Sequence, residues 1–235
     1  MLCDLLAATG VAGAPDSFFM QDIDPVWARQ WGLPEYRAPD DAAANAAYLR
    51  AAIRAGSAGT GRFGLRLMQS DLGRLCDRID TVYPGLPTDA ARLQRAFGDT
   101  LYIRLARADR LAQAVSMVMA EQTGLWHIAP DGTELERLSP PQTPEYDFDR
   151  IAAKLAQLEQ ADADWLDWFE AQGIEPLQIA YEDLAARPGE QIGRICSALG
   201  VSVPSDVSLQ PTVAKMPAAQ NQIWIARFRE DAGLT

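Results

Sequence analysis

The chain has 235 residues, of which 48% are hydrophobic, which is enough for one α/β domain with a full core or for two small ones. Its formal net charge of −11 argues against nucleic acid as a partner, because duplex binding needs a basic surface. No apolar run of about 18 residues and no secretory signal occurs, which predicts a cytoplasmic protein without a membrane span.

The amino-terminal part of the chain is predicted to be mainly helical. A helix is expected over residues 1–9, followed by a turn-rich segment that contains Phe18 and Phe19. These two rings can pack in a core or present a surface to a sugar, and the core is the commoner use. Further helices are predicted over residues 24–31 and 40–55, where a proline and an aspartate stand near the respective starts.

The segment at residues 59–64, GTGRFG, matches the glycine pattern G-x-G-x-x-G. In dinucleotide-binding proteins that pattern follows a strand and opens a helix, so that the pyrophosphate meets the helix amino terminus. Here it follows a predicted helix and precedes a predicted strand at residues 63–67, so we interpret it as a loop. Helices are then predicted over residues 68–79 and 89–97.

Residues 100–126 form the central unit of the sequence. Apolar residues alternate over residues 101–105, which predicts a strand, and Asp109 is placed to cap the helix that follows. A strand that ends in arginine and leads into a helix is typical of an anion site, because the guanidinium and the helix amino terminus both attract phosphate. Arg107 is the candidate anion ligand, and Ser116 lies about two turns into the helix. The alternative is that Arg107 only caps a buried sheet edge.

The carboxyl-terminal part alternates again between strands and helices. The D-G pair at residues 131–132 predicts a hairpin within residues 127–141. Apolar residues at helical spacing then predict a long amphipathic helix over residues 147–172. A buried strand is predicted over residues 176–181, and the tail at residues 211–231 contains a further helix.

The order of these elements predicts one α/β domain over residues 1–235, with a parallel sheet layered by helices. The three cysteines are far apart and form no C-x-x-C pair, so we predict reduced and mostly buried thiols. The single histidine, His127, has no partner at metal-ligand spacing, so no metal cofactor is predicted. An anionic ligand would need a local basic cluster that opposes the overall charge. Candidates for this cluster are Arg66, Arg104, Arg107, Arg110 and Lys215.

Two segments carry a resemblance to a known family. The string R-x-D-x-x-x-Q-A-V-S at residues 107–116 resembles the 3′-phosphate-binding segment of sulfotransferases. With E-Q-T at residues 121–123 and with Trp126, it most resembles the bacterial trehalose 2-sulfotransferase-like family. The Y-E-D-L…P…L-G pattern of residues 181–200 resembles a late structural segment of many sulfotransferases, to which we assign no chemistry. The resemblance covers almost the whole chain and implies the P-loop-containing sulfotransferase fold.

The resemblance implies an enzyme that uses 3′-phosphoadenosine 5′-phosphosulfate (PAPS) as sulfuryl donor and needs no metal. The acceptor would be a hydroxyl of a small molecule or glycan, with Phe18 and Trp126 as the residues that contact it. Arg66 stands where the family has a lysine in a G-K-L-M strand. For Arg229 the alternative is that it is an exposed, solubilising charge that binds no ligand. A homodimer is left open. The implied nucleotide-site residues are Arg107, Ser116, Lys215, Arg229 and Arg66.

The sequence also departs from the family in two places. In the family, a strand and an R-x-G-S-T loop precede the first helix and hold the 5′-phosphosulfate, whereas here Met1 stands at that helix. We therefore expect the first strand to be missing and the chain to be inactive toward PAPS. The family's general base is a glutamate at the position of Ser17, which cannot act as a base near neutral pH. The neighbouring Asp16 is the candidate base. The alternative is that Asp16 is an ordinary loop carboxylate without a catalytic role.

Two functional classes follow from these observations. The first is a PAPS-dependent sulfotransferase that acts on a carbohydrate hydroxyl. The second is a truncated or non-catalytic relative that keeps the fold and part of the nucleotide site. Ser17 and the expected absence of the loop favour the second class, whereas Arg107, Ser116 and Lys215 favour the first.

Overall fold

The computed structural model of the chain describes residues 1–20, 25–33, 40–129, 131–210 and 218–234. Within these ranges the protein is a mixed α/β structure with a small parallel sheet and many helices. The helices are α1 Leu2–Ala8, α2 Pro25–Gln30, α3 Ala42–Ser57, α4 Gln69–Val82, α5 Asp89–Phe97, α6 Arg110–Thr123, α7 Phe148–Ala171, α8 Tyr181–Ala186, α9 Pro188–Ala198 and α10 Ala218–Asp231. The strands are β1 Ile103–Ala106, β2 Leu125–Ile128, β3 Glu134–Arg137 and β4 Leu177–Ala180.

Polar side chains define the starts of four helices. Asp41, Thr88, Asp109 and Asp147 precede α3, α5, α6 and α7, and each accepts a hydrogen bond from a backbone N–H in the first turn. Such caps satisfy donors that a helix start leaves free. The cap predicted at Asp109 is therefore confirmed, and it fixes where the chain leaves β1 and enters α6.

The strands β1 and β4 pair in parallel, with Ile103 opposite Leu177 and Ala106 opposite Ala180. The chain between them runs through α6, the hairpin and α7, and α7 packs along α6. Parallel strands require a long crossover of this kind. Because both strands run in the same direction, their carboxyl ends lie at one edge, where open α/β sheets bind their ligands.

The strands β2 and β3 form the antiparallel hairpin that the D-G pair predicts. At its turn Gly132 has a φ of 86°, and the Thr133 N–H donates to the Asp131 carboxylate over 2.9 Å. The hairpin is tied to the carboxyl end of α6, because the Leu138 N–H donates to the Gly124 carbonyl over 2.8 Å. The hairpin therefore lies at the opposite end of α6 from β1.

Buried side chains form three clusters. One packs α3, α4 and α5 around the aromatic segment before α2. A second lies between the parallel pair and the helices α1 and α9, and a third joins α6, α7 and α10. Fully buried members of the first cluster include Tyr48 and Ile79. Those of the second include Ile192 and Ile195, and those of the third include Val115 and Ile151.

The prediction of a β-strand over residues 63–67 is wrong. Within the described residues this segment makes one isolated parallel bridge, between Leu65 and Asp16. The ladder does not extend toward the amino ends of the two segments, because the N–H groups of Ala14 and Gly64 both donate to the Gly56 carbonyl, over 2.7 and 3.1 Å. The interpretation of the G-x-G-x-x-G pattern as a loop is confirmed, since its first glycines form turns directly after α3.

Candidate functional site

The carboxyl edge of the parallel pair brings together two segments that are distant in the sequence. The register aligns the last residues of β1 and β4, so that Arg107 and Tyr181 both follow at the same edge. The guanidinium carbon of Arg107 lies over the Tyr181 ring, 4.8 Å from its centroid. The Ala108 N–H lies 3.2 and 3.3 Å from the two carboxylate oxygens of Glu182. The turn between β1 and α6 is therefore held by the first two residues of α8.

The sequence interpretation missed this contact, because it treats the Y-E-D-L segment as structural only. A signal for it does exist in the sequence. Tyr181 directly follows a predicted buried strand, as Arg107 follows another, and parallel strands bring their carboxyl ends together. The pairing of these two strands could not be read from periodicity alone.

The Arg107 side chain is half-buried at this edge. In the described chain its guanidinium forms no ion pair, and its Nε is buried without a hydrogen-bond partner. The Arg104 Nε is likewise buried without a partner among these residues, but the guanidinium groups of Arg104 and Arg110 both form an ion pair with the Asp162 carboxylate on α7. An anion that binds Arg107 therefore displaces no protein carboxylate, and it offsets the cost of an unpaired buried donor.

The start of α6 offers fewer backbone donors to an anion than the sequence suggests. The Asp109 carboxylate accepts the Ala112 N–H over 2.8 Å, and Glu182 accepts the Ala108 N–H. These two carboxylates also bring negative charge to the turn that contains Arg107. The attraction of this turn for phosphate consequently depends on the guanidinium and much less on the helix end.

Ser116 lies half-buried on α6, about 9 Å along the helix axis from Arg110. Its hydroxyl forms no hydrogen bond with the part of the chain that the structure describes. Arg229 is exposed in the last turn of α10, a helix that packs against α6. No hydrogen bond or ion pair among the described residues joins either side chain to Arg107. Lys215 lies outside the described residues.

Asp16 and Ser17 point in different directions, as expected for neighbours in an extended segment. Asp16 is exposed, and its Oδ1 accepts the Ser17 N–H over 2.6 Å. Ser17 is 7% exposed, and its buried Oγ has no hydrogen-bond partner among the described residues. The carboxylate is therefore the group of this pair that a substrate can reach.

Arg66 lies next to this segment. Its backbone N–H donates to the Asp16 carbonyl over 3.1 Å, and among the described residues its exposed guanidinium has only a contact of 3.9 Å with the Met68 sulfur. Burial raises the pKa of the Cys3 thiol, while the positive charge of Arg66 lowers it and the negative charge of Asp16 raises it. Both charges therefore act on the first turn of α1.

The two aromatic candidates occupy different surroundings. Phe18 is 3% exposed and packs against the rings of Trp27, Trp31 and Phe63, with centroids 5.5, 5.8 and 6.2 Å away. Its ring is thus enclosed by other core side chains. Trp126 lies half-buried on β2, beyond the carboxyl end of α6.

The histidine, the cysteines and the remaining carboxylates are the other candidates for chemistry. The His127 imidazole contacts the Glu136 carboxylate on the exposed hairpin. The described part of the chain contains no group of three or more His, Cys, Asp or Glu residues that could hold a metal ion. Across the same residues, no helix has both the length and the apolar character that crossing a bilayer requires. All three cysteines are free thiols, and Cys76 and Cys196 are buried.

Comparison with known proteins gives one family. The family model described as Stf0 sulphotransferase matches residues 1–231. The chain is 26% identical over 250 residues to the trehalose 2-sulfotransferase of Mycolicibacterium smegmatis, an alignment that covers 99% of this chain and 90% of that protein. It is also 26% identical over 256 residues to the trehalose 2-sulfotransferase of Mycobacterium tuberculosis, with the same coverage of 99% and 90%.

Proposed function

The chain belongs to the Stf0 sulphotransferase family, and on that premise we propose that it transfers a sulfuryl group from PAPS to a carbohydrate hydroxyl. The match over residues 1–231 supports a single domain. The names of the two relatives support a sugar as the class of acceptor. The finer fold that we propose is the P-loop-containing sulfotransferase arrangement. In it, a further parallel strand would pair with the edge of β1 that has no partner among the described residues.

The observation that carries this proposal is the guanidinium of Arg107 at the carboxyl edge of β1 and β4, which forms no ion pair with the residues that the structure describes. A guanidinium presents planar donors that match phosphate oxygens, and charge-assisted hydrogen bonds are among the strongest in proteins. The buried Nε without a protein partner fits a ligand that brings acceptors to this place. We assign the 3′-phosphate of the donor to Arg107, with the Ser116 hydroxyl as a second donor.

The remaining basic candidates extend this assignment. PAPS supplies an activated sulfuryl group, and its transfer leaves extra negative charge on the nucleotide. The positive charge of Arg66 acts on Cys3 at the start of α1, and we assign it to charge on the 5′ side of the nucleotide. Lys215 and Arg229 are assigned to the nucleotide phosphates on the strength of the resemblance.

Asp16 is the proposed general base. A sugar hydroxyl must lose its proton as its oxygen bonds to sulfur, and a carboxylate within reach can accept it. The Asp16 carboxylate is exposed and is oriented by the Ser17 N–H, whereas the Ser17 hydroxyl is buried and is too weak a base. Phe18 is enclosed by core rings, and Trp126 is partly exposed but lies on the hairpin at the far end of α6 from β1, so the assignment of either ring to the sugar rests on the resemblance alone.

One observation favours a second candidate function, that of a nucleotide-binding relative without turnover. The position that the resemblance assigns to the general base holds Ser17, and its hydroxyl is buried. A protein of this kind would bind adenosine 3′,5′-bisphosphate at Arg107 and would leave sugars unchanged.

One pair of measurements separates the two functions. Transfer of radiolabelled sulfate from PAPS to trehalose or glucose is followed by chromatography, and binding of adenosine 3′,5′-bisphosphate is followed by calorimetry. Sulfated sugar formed by the wild type, and lost in Asp16→Asn, is the result expected of the sulfotransferase. Nucleotide binding without any sulfated sugar supports the second function. Absence of both binding and transfer contradicts both.

A further inference from the structure

The first residues of α8 make a contact that the proposed function does not use. Tyr181 places its ring under the guanidinium of Arg107, and Glu182 accepts the N–H of Ala108. Two consecutive residues thus hold the two consecutive residues that leave β1. Such paired contacts fix both the backbone of the turn and the side chain that it presents.

An aromatic ring holds an arginine in a way that a carboxylate cannot. The attraction between a cation and the face of a ring leaves the guanidinium with its full charge. The guanidinium carries its N–H donors in its own plane, so these donors stay available for an anion beside the ring. A carboxylate partner would instead offset part of the charge and engage N–H donors, as Asp162 does with one Nη2 group each of Arg104 and Arg110.

From this geometry we infer that Tyr181 is a positioning residue for the 3′-phosphate, acting through Arg107. The inference rests on the proposed function, because it needs the 3′-phosphate to bind at Arg107. An arginine side chain that is already ordered loses less conformational entropy when it binds. The ring therefore raises the affinity for the 3′-phosphate in particular, and it leaves the affinity for the rest of the nucleotide unchanged.

The test compares two nucleotides that differ by this one phosphate. Calorimetry gives the dissociation constants of adenosine 3′,5′-bisphosphate and of adenosine 5′-monophosphate, and their ratio is the 3′-phosphate selectivity. We expect Tyr181→Leu to lower this selectivity by roughly 3- to 30-fold, the range of a cation–π contact at a partly desolvated site. Tyr181→Phe keeps the ring and should retain the wild-type selectivity. In an Arg107→Ala background, Tyr181→Leu should cause no further loss.

A matched control lies elsewhere in the chain. Arg95 on α5 stands over the Tyr83 ring, 4.4 Å from its centroid, so Tyr83→Leu removes the same kind of contact outside the site. Its selectivity should equal that of the wild type, even if its melting temperature falls. Each nucleotide is measured on the same preparation, so the ratio does not depend on the folded fraction.

The outcomes separate this inference from the proposed function. If the wild type binds both nucleotides equally well, the 3′-phosphate site itself is wrong. If the wild type is selective and Tyr181→Leu keeps that selectivity, the positioning role is overturned alone. Equal losses in Tyr181→Phe and Tyr181→Leu would also overturn it, because the hydroxyl and not the ring would then be responsible.

Discussion

Replacement of Asp162 by alanine tests how the residues on either side of Arg107 are held. Arg104 in β1 and Arg110 in the first turn of α6 both donate to this one carboxylate on α7. The side chains of Arg104, Arg110 and Asp162 are 15%, 27% and 20% exposed. The cluster is therefore screened less by water than a surface ion pair is.

The expected effect follows from this intermediate exposure. Breaking a buried ion pair costs about 3–5 kcal/mol, whereas an exposed pair contributes at most about 1 kcal/mol. We therefore expect Asp162→Ala to lower the free energy of unfolding by about 2–4 kcal/mol, since two guanidinium groups lose their shared acceptor. For a chain of this size, the melting temperature should fall by roughly 4–16 °C.

Thermal unfolding followed by circular dichroism measures this change. Asp167→Ala is a suitable control, because Asp167 lies on the same helix, is exposed and has no partner among the described residues. The control should unfold within about 0.5 kcal/mol of the wild type. Equal melting temperatures for the two variants would refute the reasoning that this carboxylate fastens β1 and α6 to α7.

Two further predictions concern single carboxylates, Glu182 beside the turn that contains Arg107 and Glu121 in the last turn of α6. Glu182→Gln keeps an acceptor for the Ala108 N–H but removes a negative charge beside Arg107, so affinity for adenosine 3′,5′-bisphosphate should rise roughly 2- to 5-fold in calorimetry. An unchanged or lower affinity would contradict this. Burial alone raises the pKa of Glu121, but hydrogen bonds from Lys154 and Arg150 lower it overall, below its usual 4.5. The Glu121 carboxylate therefore stabilises the fold at pH values above 4.5, its ordinary pKa. This stabilisation is lost as the pH falls through the lowered pKa of the folded state. Denaturant unfolding should show Glu121→Gln less stable than the wild type at pH 7, and the gap should close in acid; a constant gap would refute the assignment.

The features that local chemistry determines could be predicted from the sequence. The boundaries of α5, residues 89–97, agree at both ends with the prediction, because a cap and a glycine stop lie next to the helix. The cap at Asp109 and the turn at Asp131 depend in the same way on residues a few positions apart. In each case one short segment contains both partners of the interaction.

The features that depend on distant pairing could not be predicted. The contact of Ala108 with Glu182 joins residues 74 positions apart, and it exists only because β1 and β4 pair in one register. Asp162 is 58 positions from Arg104, so the sequence offered both arginines as anion ligands when they already share a carboxylate. The segment at residues 63–67 has the alternation of a strand but lacks a partner segment that can extend the ladder.

The central claim is that Arg107 holds the 3′-phosphate of the donor, and one calorimetric comparison tests it most directly. Adenosine 3′,5′-bisphosphate is titrated into the wild type, into Arg107→Ala and into the control Arg95→Ala, which removes an exposed arginine on α5. We predict that Arg107→Ala loses about 2–4 kcal/mol of binding free energy, a factor of roughly 30 to 700, while the control binds as the wild type does. Equal affinity of all three proteins would contradict the account.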